Sequence, residues 1–365
     1  MTKKPYGLRA LAITAIRAQQ SLFGETMSIF RLNRRHVLAA LLSVAAVGPV
    51  AAQAPIVIKF SHVVAADTPK GKALEYFKKA AEEKTKGAVK IEVFHNAVLY
   101  KDAEEMAALQ IGSVQMLAPA PGKFGPLGLR EFEILDLPFL FDNIEEEHRV
   151  TQGPVGKKLL EKLDAKGITG LAFWDNGFKE MTANRPLRNV SDFKGLKMRI
   201  QSSKIIEAQM RALGTIPQVM GFPELYQALQ TGVVDGQENP TSNIYASKLH
   251  EVQKYLTMSD HGYHGYAVIV NKKFWDGLPP ATRAALESAM RDTTAYFNTI
   301  AKQENDMALD SIRKSGKTEV ITLTPGQRMA WKKATAKVHT EWADKLGKDT
   351  LEAIYKETGF DPNKL

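Results

Sequence analysis

The α/β character of the chain is set in residues 56–94, which read IVIKFSHVVAADTPKGKALEYFKKAAEEKTKGAVKIEVF. Short apolar or alternating runs flank a segment whose apolar side chains recur at helical spacing and which ends before a glycine. The alternation continues downstream, so that the predicted strands and helices of this unit are 56–60, 70–86, 89–93, 103–111 and 114–118. Strand and helix patterns in strict succession predict a mostly parallel sheet covered by helices.

A second unit of the same kind begins near Gly177. Before it, residues 154–166 favour a helix and residues 170–174 a strand. The predicted elements of the second unit are a strand at 196–200, a helix at 203–213, a short segment at Val219 and a helix at 223–230. Residues 266–270 predict a further strand. A chain of 365 residues is too long for one ordinary core, and no low-complexity linker separates the units. We therefore predict two α/β lobes that exchange strands.

Residues 281–315 contain neither proline nor glycine, and their apolar side chains recur at near-helical spacing. One helix over this range is about 50 Å long at about 1.5 Å per residue, longer than one lobe is wide, so it could span both lobes. Two helices with a bend at Thr293-Thr294 are the alternative, because globular helices rarely exceed about 20 residues. Residues 331–346 predict one further amphipathic helix.

The net charge of the chain is +9, which on its own would suggest binding to nucleic acid or to a membrane surface. Residues 1–52 hold seven of the 49 basic residues and only one of the 40 acidic residues. The remaining residues have a net charge of +3. We therefore predict no nucleic-acid partner. The hydrophobic fraction of 44% is that of an ordinary globular protein.

Residues 1–52 are predicted to be an upstream extension plus a cleavable signal peptide for the periplasm. Met27, where translation could start, is followed by a basic stretch, the apolar run 37–47 and the small residues Ala51-Ala52. The apolar run is shorter than the about 20 residues that span a bilayer, which favours a signal peptide over an uncleaved anchor. No cysteine occurs in the sequence, which excludes disulfides, thiolate nucleophiles and cysteine metal sites.

The sequence lacks the common enzyme motifs G-x-S-x-G, the P-loop, G-x-G-x-x-G and H-E-x-x-H. His261 and His264 form an H-x-x-H pair, but no further ligand type clusters near them in sequence, so loop histidines are favoured over a metal site. An enzyme that acts on carboxylic acids with Glu224, His62 or His264 as its base is the alternative from another class, and no spacing supports it. We predict no catalytic residue, no metal and no cofactor.

The block of residues 176–243 carries the most informative motifs. Arg199 lies near the end of a predicted strand, and in open α/β folds ligands bind at the carboxyl ends of strands. Its guanidinium offers paired N–H donors that match the two oxygens of a carboxylate. From the residues alone, a structural surface ion pair remains the better supported role for Arg199.

A family resemblance changes that balance. The motifs that carry it are IKFSHV at 58–63, DTPKG at 67–71, NGFK at 176–179, GLKMRI at 195–200, GFPELY at 221–226 and VDGQENP at 234–240. Together they resemble the solute-binding proteins of tripartite ATP-independent periplasmic (TRAP) transporters, the DctP-like family, and in particular its C4-dicarboxylate-binding branch. The resemblance covers essentially the whole mature chain. It implies a two-lobed α/β fold, like that of periplasmic binding proteins, with strand exchange between the lobes and a long bridging helix.

The resemblance also implies ligand-binding residues in the second lobe. Arg199 matches the arginine that clamps the ligand carboxylate, Asn239 matches the amide that hydrogen-bonds the same carboxylate, and Phe222 matches an aromatic residue that packs against the ligand. Lys179 occupies a position where family members often have a second arginine. A lysine keeps the positive charge there but lacks the planar fork of a guanidinium.

Two further residues are candidates on the opposite side of the cleft. Lys123 aligns with a basic position of the family, and His62 lies at the end of the first predicted strand. One ligand carboxylate is expected at Arg199 and Asn239, and a second at Lys123, Lys179 or His62.

Domain boundaries and a transport role follow from the same resemblance. Lobe I is expected at 55–176 and 265–304, and lobe II at 177–264 and 305–365. The expected function is capture of a small organic acid anion, a C4-dicarboxylate such as succinate, malate or fumarate, by hinge closure, and its delivery to a TRAP-type membrane permease. A monocarboxylic 2-keto or hydroxy acid, an aromatic acid or a sugar acid is the alternative ligand. The protein is expected to be a monomer and not an enzyme.

Overall fold

The computed structural model describes residues 54–364. The predicted signal peptide, its cleavage site and the candidate start at Met27 lie outside this range. Within the range the chain forms two β-sheets with helices packed around them, which confirms the predicted α/β class. Among residues 54–364, none of the helices combines the length and the hydropathy of a membrane span.

Eleven strands make up the two sheets of the described range. In chain order they are Ile56–Ser61 (β1), Val89–Phe94 (β2), Met116–Leu117 (β3), Ile168–Phe178 (β4), Glu180–Ala183 (β5), Lys197–Ile200 (β6), Ile216–Val219 (β7), Gly236–Asn239 (β8), Tyr255–Met258 (β9), Tyr263–Asn271 (β10) and Glu319–Thr322 (β11). The first sheet has the order β2-β1-β3-β10-β4 and the second the order β11-β9-β5-β8-β6-β7. In each sheet one strand, β10 or β5, runs antiparallel to its neighbours, and the other pairs are parallel. Both sheets are therefore mostly parallel, as predicted.

Twelve α-helices connect and cover the strands of the described range. In chain order they are Pro69–Lys84 (α1), Glu105–Gln110 (α2), Ile144–Thr151 (α3), Pro154–Glu161 (α4), Lys204–Ala212 (α5), Leu225–Gln230 (α6), Thr241–Ala246 (α7), Lys272–Asp276 (α8), Pro280–Ser315 (α9), Pro325–Thr335 (α10), Lys337–Leu346 (α11) and Lys348–Thr358 (α12). Side chains of Thr68, Asn143 and Ser203 accept hydrogen bonds from backbone N–H groups of the first turn and so fix where α1, α3 and α5 begin. Short 3₁₀ helices at Pro121–Leu127 and Phe222–Glu224 follow β3 and β7.

The chain passes between the two sheets directly at two places. One residue, Lys179, separates β4 of the first sheet from β5 of the second. β9 of the second sheet leads through residues 259–262 into β10 of the first sheet. The backbone N–H of Lys179 donates to the carbonyl of Gly262 (2.8 Å), so the two crossings lie side by side. The predicted exchange of strands between two α/β units is confirmed.

The helix α9 confirms the prediction of one long helix over residues 281–315. It has 36 residues, which corresponds to about 54 Å. The hydroxyls of Thr293 and Thr294 donate to the carbonyls of Ala289 and Met290 (2.7 and 2.9 Å), so both are satisfied within a continuous helix. The alternative of two helices with a bend at these threonines is wrong.

α9 contacts both halves of the molecule. Near its middle, Phe297 stacks on Trp174 of β4, with ring centroids 5.2 Å apart. Further along, the side-chain amide of Asn305 donates to the backbone carbonyl of Asn176 at the end of β4 (2.8 Å) and accepts from the backbone N–H of Ser242 at the start of α7 (3.0 Å). One helix thus ties the first sheet to an element that follows β8 of the second.

The prediction of one continuous helix over residues 331–346 is wrong. The structure has two helices here, α10 and α11, which meet at Ala336. No proline or glycine marks this break. Its physical reason is packing: Trp331 of α10 packs edge-to-face on Phe193, with ring centroids 4.6 Å apart, whereas Val338 of α11 packs into a different core cluster, that of Phe132. A straight helix would bring only one of the two faces to its core.

Candidate ligand-binding cleft

A cavity of about 30 Å³ lies between the two sheets, and we call it the cleft cavity. Its walls come from residues at or just after the carboxyl ends of β1, β3, β6 and β8 and from the helices that follow. Open α/β sheets bind ligands at this edge. The residues that line it are Val63, Val64, Lys70, Asp102, Glu105, Pro119, Ala120, Lys123, Arg199, Gln201, Phe222, Asn239, Asn243, His264 and Tyr266.

Arg199, at the end of β6, lines the cleft cavity with a side chain that is almost fully buried. Its Nε and Nη2 atoms both donate to the backbone carbonyl of Met220 (3.0 and 2.8 Å), which leaves Nη1 for a ligand. Burial lowers the pKa of Arg199 to about 10, although Glu238 and Glu224 favour its charged form. The guanidinium therefore stays charged near neutral pH. It is anchored by a carbonyl rather than by the surface carboxylate that the alternative role required.

Phe222 and Asn239 line the same wall as Arg199. The ring centroid of Phe222 lies 5.8 Å from the guanidinium carbon of Arg199. The amide of Asn239 donates to Gln237 Oε1 (2.6 Å), and its Oδ1 accepts from the amide of Asn243 (3.2 Å). The structure thus brings together the three residues that the resemblance assigns to this side of the site.

Asn243 and Tyr266 extend this hydrogen-bonded wall, and the sequence motifs did not single them out. The amide nitrogen of Asn243 lies 3.4 Å from the Tyr266 hydroxyl, so the contact joins α7 to β10 of the first sheet. Burial raises the pKa of Tyr266, which keeps its hydroxyl neutral. Asn243 Oδ1 is buried without a hydrogen-bond partner among the described residues, and such an acceptor requires a donor from a ligand or a water. Both residues lie in elements whose sequences resemble ordinary core, so only the fold reveals them.

Lys123 lines the cleft cavity from the 3₁₀ helix that follows β3, but protein groups already bind its ammonium. Nζ contacts a carboxylate oxygen of Asp102, the backbone carbonyl of Asp102 (3.2 Å) and Glu105 Oε1 (2.7 Å). Burial and the charges of Lys70 and Arg199 lower the pKa of Lys123, whereas the adjoining carboxylates favour the charged form. Three acceptors match the three N–H groups of an ammonium. In this conformation a ligand does not meet Lys123 as a free cation.

Lys70 is a cation of the cleft that the sequence-based site did not include. It lies buried in the first turn of α1, where Nζ donates to the carbonyl of Ala118 (3.1 Å) and stands 3.7 Å from the centre of the Tyr266 ring. Burial lowers the pKa of Lys70 to about 7 against the opposing charge of Glu105, and burial raises the pKa of Glu105 to about 7 against that of Lys70. One hydrogen bond leaves two N–H groups of Lys70 for a ligand. One feature of the sequence could have indicated Lys70 as a site residue. It lies in the first turn of the helix that follows β1, and ligands of open α/β sheets bind near the carboxyl ends of the strands.

Lys179 does not line the cleft cavity, because a buried cluster at the strand crossing binds its ammonium. Nζ donates to Glu238 Oε1 (3.0 Å) and lies 3.8 Å from Asp136 Oδ1. The other oxygen of Glu238 lies 3.0 Å from His261 Nε2. Burial alone would raise the pKa of Glu238, but Lys179 and His261 outweigh it and lower that pKa to about 2. We call Lys179, Glu238, His261 and Asp136 the crossing cluster. Lys179 lies in this cluster and not among the residues that line the cleft cavity.

His62 also stands outside the lining of the cleft cavity. Its Nε2 lies 2.7 Å from Nδ1 of His95, whose Nε2 lies 3.2 Å from Glu75 Oε1. Burial, with the nearby charge of Lys70, lowers the pKa of His62, so the ring is neutral. The next two residues, Val63 and Val64, line the cavity instead. His62 is therefore the residue directly before the segment that lines the cavity, and it is not part of the lining.

The structure also separates the two histidines of the H-x-x-H pair. His261 belongs to the crossing cluster, whereas His264 lines the cleft cavity with Nε2 at 3.2 Å from the Tyr266 hydroxyl. Within residues 54–364, no group of three or more His, Cys, Asp or Glu side chains is arranged to hold a metal ion.

Comparison with known proteins identifies the family of this chain. The family model described as "Bacterial extracellular solute-binding protein, family 7", or DctP, matches residues 60–345. The chain belongs to this family. The match includes both sheets from Phe60 onward and the residues of the cleft cavity, and it ends before α12.

Relatives within family 7 are similar over nearly their whole length. The C4-dicarboxylate-binding periplasmic protein DctP of Rhodobacter capsulatus is 58% identical over 329 residues, which are 89% of this chain and 98% of that protein. A TRAP periplasmic solute binding protein from Shewanella oneidensis, solved with bound succinate, superposes with a TM-score of 0.82 at 39% identity and covers 84% of this chain and 100% of its own. One from Pseudomonas aeruginosa, solved with bound L-malate, gives a TM-score of 0.77 at 40% identity, with 79% and 100% covered. These matches confirm the two-lobed fold of a TRAP solute-binding protein.

The charges that line the cleft cavity of this family 7 protein are unequal. Three cations, Lys70, Lys123 and Arg199, face two carboxylates, Asp102 and Glu105. Both carboxylates lie beside Lys123 or Lys70 rather than beside Arg199. The lining therefore has an excess of basic side chains, which favours an anionic ligand because opposite charges attract strongly where water is excluded.

Proposed function

We propose that this chain captures a C4-dicarboxylate such as succinate or malate outside the cytoplasm and delivers it to a TRAP-type membrane permease. The observation that carries the proposal is a pair of cations in one cavity, Arg199 on β6 and Lys70 on α1, that both retain N–H donors. The ligands named for the relatives, which are C4-dicarboxylates, succinate and L-malate, support the same class.

Each end of the ligand would be bound by a different lobe. Arg199, with Asn239 and the ring of Phe222, would hold one carboxylate through charge-assisted hydrogen bonds. Lys70 would hold the other from the opposite wall. The unpartnered Oδ1 of Asn243 offers an acceptor to a ligand hydroxyl, such as that of malate.

Binding requires the lobes to separate and close again. A cavity of about 30 Å³ holds about two waters, because one water needs roughly 10–15 Å³. A four-carbon acid is larger than that space. We propose that lobe I (55–176 and 265–304) and lobe II (177–264 and 305–365) rotate about the two strand crossings. A ligand that binds the closed state more tightly than the open state shifts this equilibrium towards closure.

No bond is made or broken in this function. Glu224 and His62, two of the bases that an enzyme would need, are not among the residues that line the cleft cavity. His264 does line it, but burial lowers its pKa, and its Nε2 lies against the Tyr266 hydroxyl. These positions favour capture of the ligand over catalysis.

The cellular setting follows from the family and from the N-terminal sequence. A predicted signal peptide in residues 1–52 and the periplasmic relatives support a periplasmic location. The partners we propose are the organic acid and the membrane subunits of the permease, and the proposed form is a monomer.

A thermal-shift screen of the protein against a panel of organic acids tests the proposal. Bound ligand raises the free energy of unfolding by about 2.7 kcal/mol at a hundredfold excess over Kd. We expect the unfolding temperature to rise with succinate, malate and fumarate and to stay constant with monocarboxylates. A rise with 2-keto, aromatic or sugar acids alone would keep the transport role and replace the ligand. No response to any acid, after removal of co-purified ligand, would contradict the binding role itself.

A further inference from the structure

Asp102 places a protein carboxylate between the two lobes at the edge of the cleft cavity. It lies on the segment that joins β2 to α2, with a side chain only 12% exposed. One carboxylate oxygen contacts Nζ of Lys123 on the first-lobe side. The other accepts a hydrogen bond from the backbone N–H of Phe222, on the second-lobe side (3.2 Å). The carboxylate thus joins groups that belong to opposite walls of the cavity.

The contacts of Lys123 explain what this carboxylate does to the charge of the site. Asp102 supplies two of the three acceptors of the Lys123 ammonium, through its side chain and its backbone carbonyl, and Glu105 supplies the third. A lysine whose three N–H groups are all used has none left for a ligand. Lys70 and Arg199 then remain the two cations with free donors.

We propose that Asp102 is the specificity-determining residue that limits the cleft to ligands with two carboxylates. Its carboxylate lies against Lys123, the third basic side chain of the cavity, where it would repel a third ligand carboxylate. This inference rests on the proposed dicarboxylate function and names the residue that sets the charge of the accepted ligand. Selection by a repulsive element is a general way to reject a near relative of the correct ligand.

The position of the Asp102 carboxylate beside Lys123 predicts electrostatic repulsion of a third ligand carboxylate. A third carboxylate near Lys123 would meet the Asp102 carboxylate in a partly buried site, where like charges repel more strongly than in water. The hydrogen bond from Phe222 keeps Asp102 in this position when the lobes are closed. Because the donor is the backbone N–H of Phe222, substitution of the Phe222 side chain is not expected to remove this hydrogen bond.

The substitution Asp102→Asn tests the inference, since it removes the charge and retains an oxygen that can accept from Phe222. The two probes are succinate and tricarballylate, which resembles succinate with one extra carboxymethyl arm. Calorimetry on the full chain gives the ratio of their Kd values. We expect the ratio of tricarballylate to succinate to fall at least about tenfold in D102N.

Glu224→Gln is the matched control. Glu224 acts on the charge of Arg199 but does not line the cleft cavity. The Kd ratio of tricarballylate to succinate for Glu224→Gln should match that of the unaltered protein. A fall in this ratio equal to that of D102N would show a general charge effect and overturn the role of Asp102. Asp102→Ser removes the charge with a different side chain, and its ratio must also fall.

The outcomes separate this inference from the proposed function. An unchanged ratio in folded D102N or D102S, with succinate still bound, would overturn the inference and leave the dicarboxylate function in place. Failure of the unaltered protein to bind succinate would overturn the proposed function itself. Circular dichroism and thermal unfolding of each variant establish that it is folded before its ratio is used.

Discussion

The cleft cavity and the crossing cluster are two buried groups of charges with opposite properties. In the crossing cluster, Lys179 is held by Glu238 and Asp136, and Glu238 is held in turn by His261. In the cleft, Arg199 and Lys70 are bound mainly by backbone carbonyls and keep donors free. Buried charge alone therefore does not identify a binding site. A cation whose partners are neutral and incomplete is the better indicator, because its charge is left for a ligand to match.

The largest effect is expected from Arg199→Ala. The substitution would leave the carboxylate of a bound dicarboxylate unpaired in a buried site, at a cost of about 3–5 kcal/mol. Affinity should fall about 10²- to 10³-fold or more. Titration calorimetry with succinate measures the loss, and Arg185→Ala, at an exposed arginine that donates to the carbonyl of Lys194, is the control. A loss of only a few-fold would remove Arg199 from the proposed site.

Lys179→Met should act on stability rather than on ligand contact. Removing one partner of a buried ion pair leaves Glu238 uncompensated and should lower the free energy of unfolding by about 3–5 kcal/mol. Because the pKa of Glu238 is lowered to about 2 in the fold, the stability that its charge contributes is present above its unfolded pKa and is lost as pH falls towards 2. The difference between variant and unaltered protein should therefore shrink on acidification.

Denaturant unfolding between neutral pH and pH 3 measures that difference. Lys302→Met, which breaks the exposed Lys302–Asp306 pair, is the control and should change stability little. If Lys179→Met instead reduced succinate affinity as much as Arg199→Ala while the protein stayed stable, the distinction between the two charge groups would be wrong.

Lys70→Ala should weaken dicarboxylate binding by less than Arg199→Ala. A hydrogen bond to a charged group contributes about 1.5–3 kcal/mol, so succinate affinity should fall about 10- to 100-fold. A monocarboxylate held at Arg199 alone should be affected much less. Calorimetry with both ligand types gives the comparison, and an equal loss for both would argue against Lys70 as the second pole.

The smallest effect is expected from pH. The pKa values of Lys70 and Glu105 both lie at about 7. Raising the pH removes the positive charge of Lys70 and adds the negative charge of Glu105, and both changes weaken binding of a dianion. Affinity for succinate should therefore fall as the pH rises from 6 to 8, and by less than the loss caused by Lys70→Ala. The Lys70→Ala variant should show a flatter profile, and identical profiles would exclude Lys70 as the source.

The local pattern of the sequence was sufficient for the fold class, and the motifs shared with the family indicated one side of the proposed site. The alternation of strand and helix, the uninterrupted helix of residues 280–315 and the joint position of Arg199, Phe222 and Asn239 all depend on periodicity or on compact motifs. The break at Ala336 depends on two different cores and has no local signal.

The roles of the lysines near the cleft could not be predicted for a related reason. Lys70 and Lys179 are buried and the side chain of Lys123 is only 9% exposed, so only their partners distinguish these three lysines. Those partners are distant in sequence: Glu238 is 59 residues from Lys179, and Asp102 is 21 residues from Lys123. Whether a cation is free for a ligand is a property of the assembled fold.

The paired crossings of the strands also constrain the order in which the chain can fold. β4 and β10 are neighbours in the first sheet, yet the strands β5 to β9 of the second sheet lie between them in sequence. The first sheet therefore cannot be completed until residue 271 is available, and the second awaits β11 at 319–322. Pairings of such long sequence separation fold slowly. Neither sheet can therefore form all of its strand pairs until most of the chain has been made.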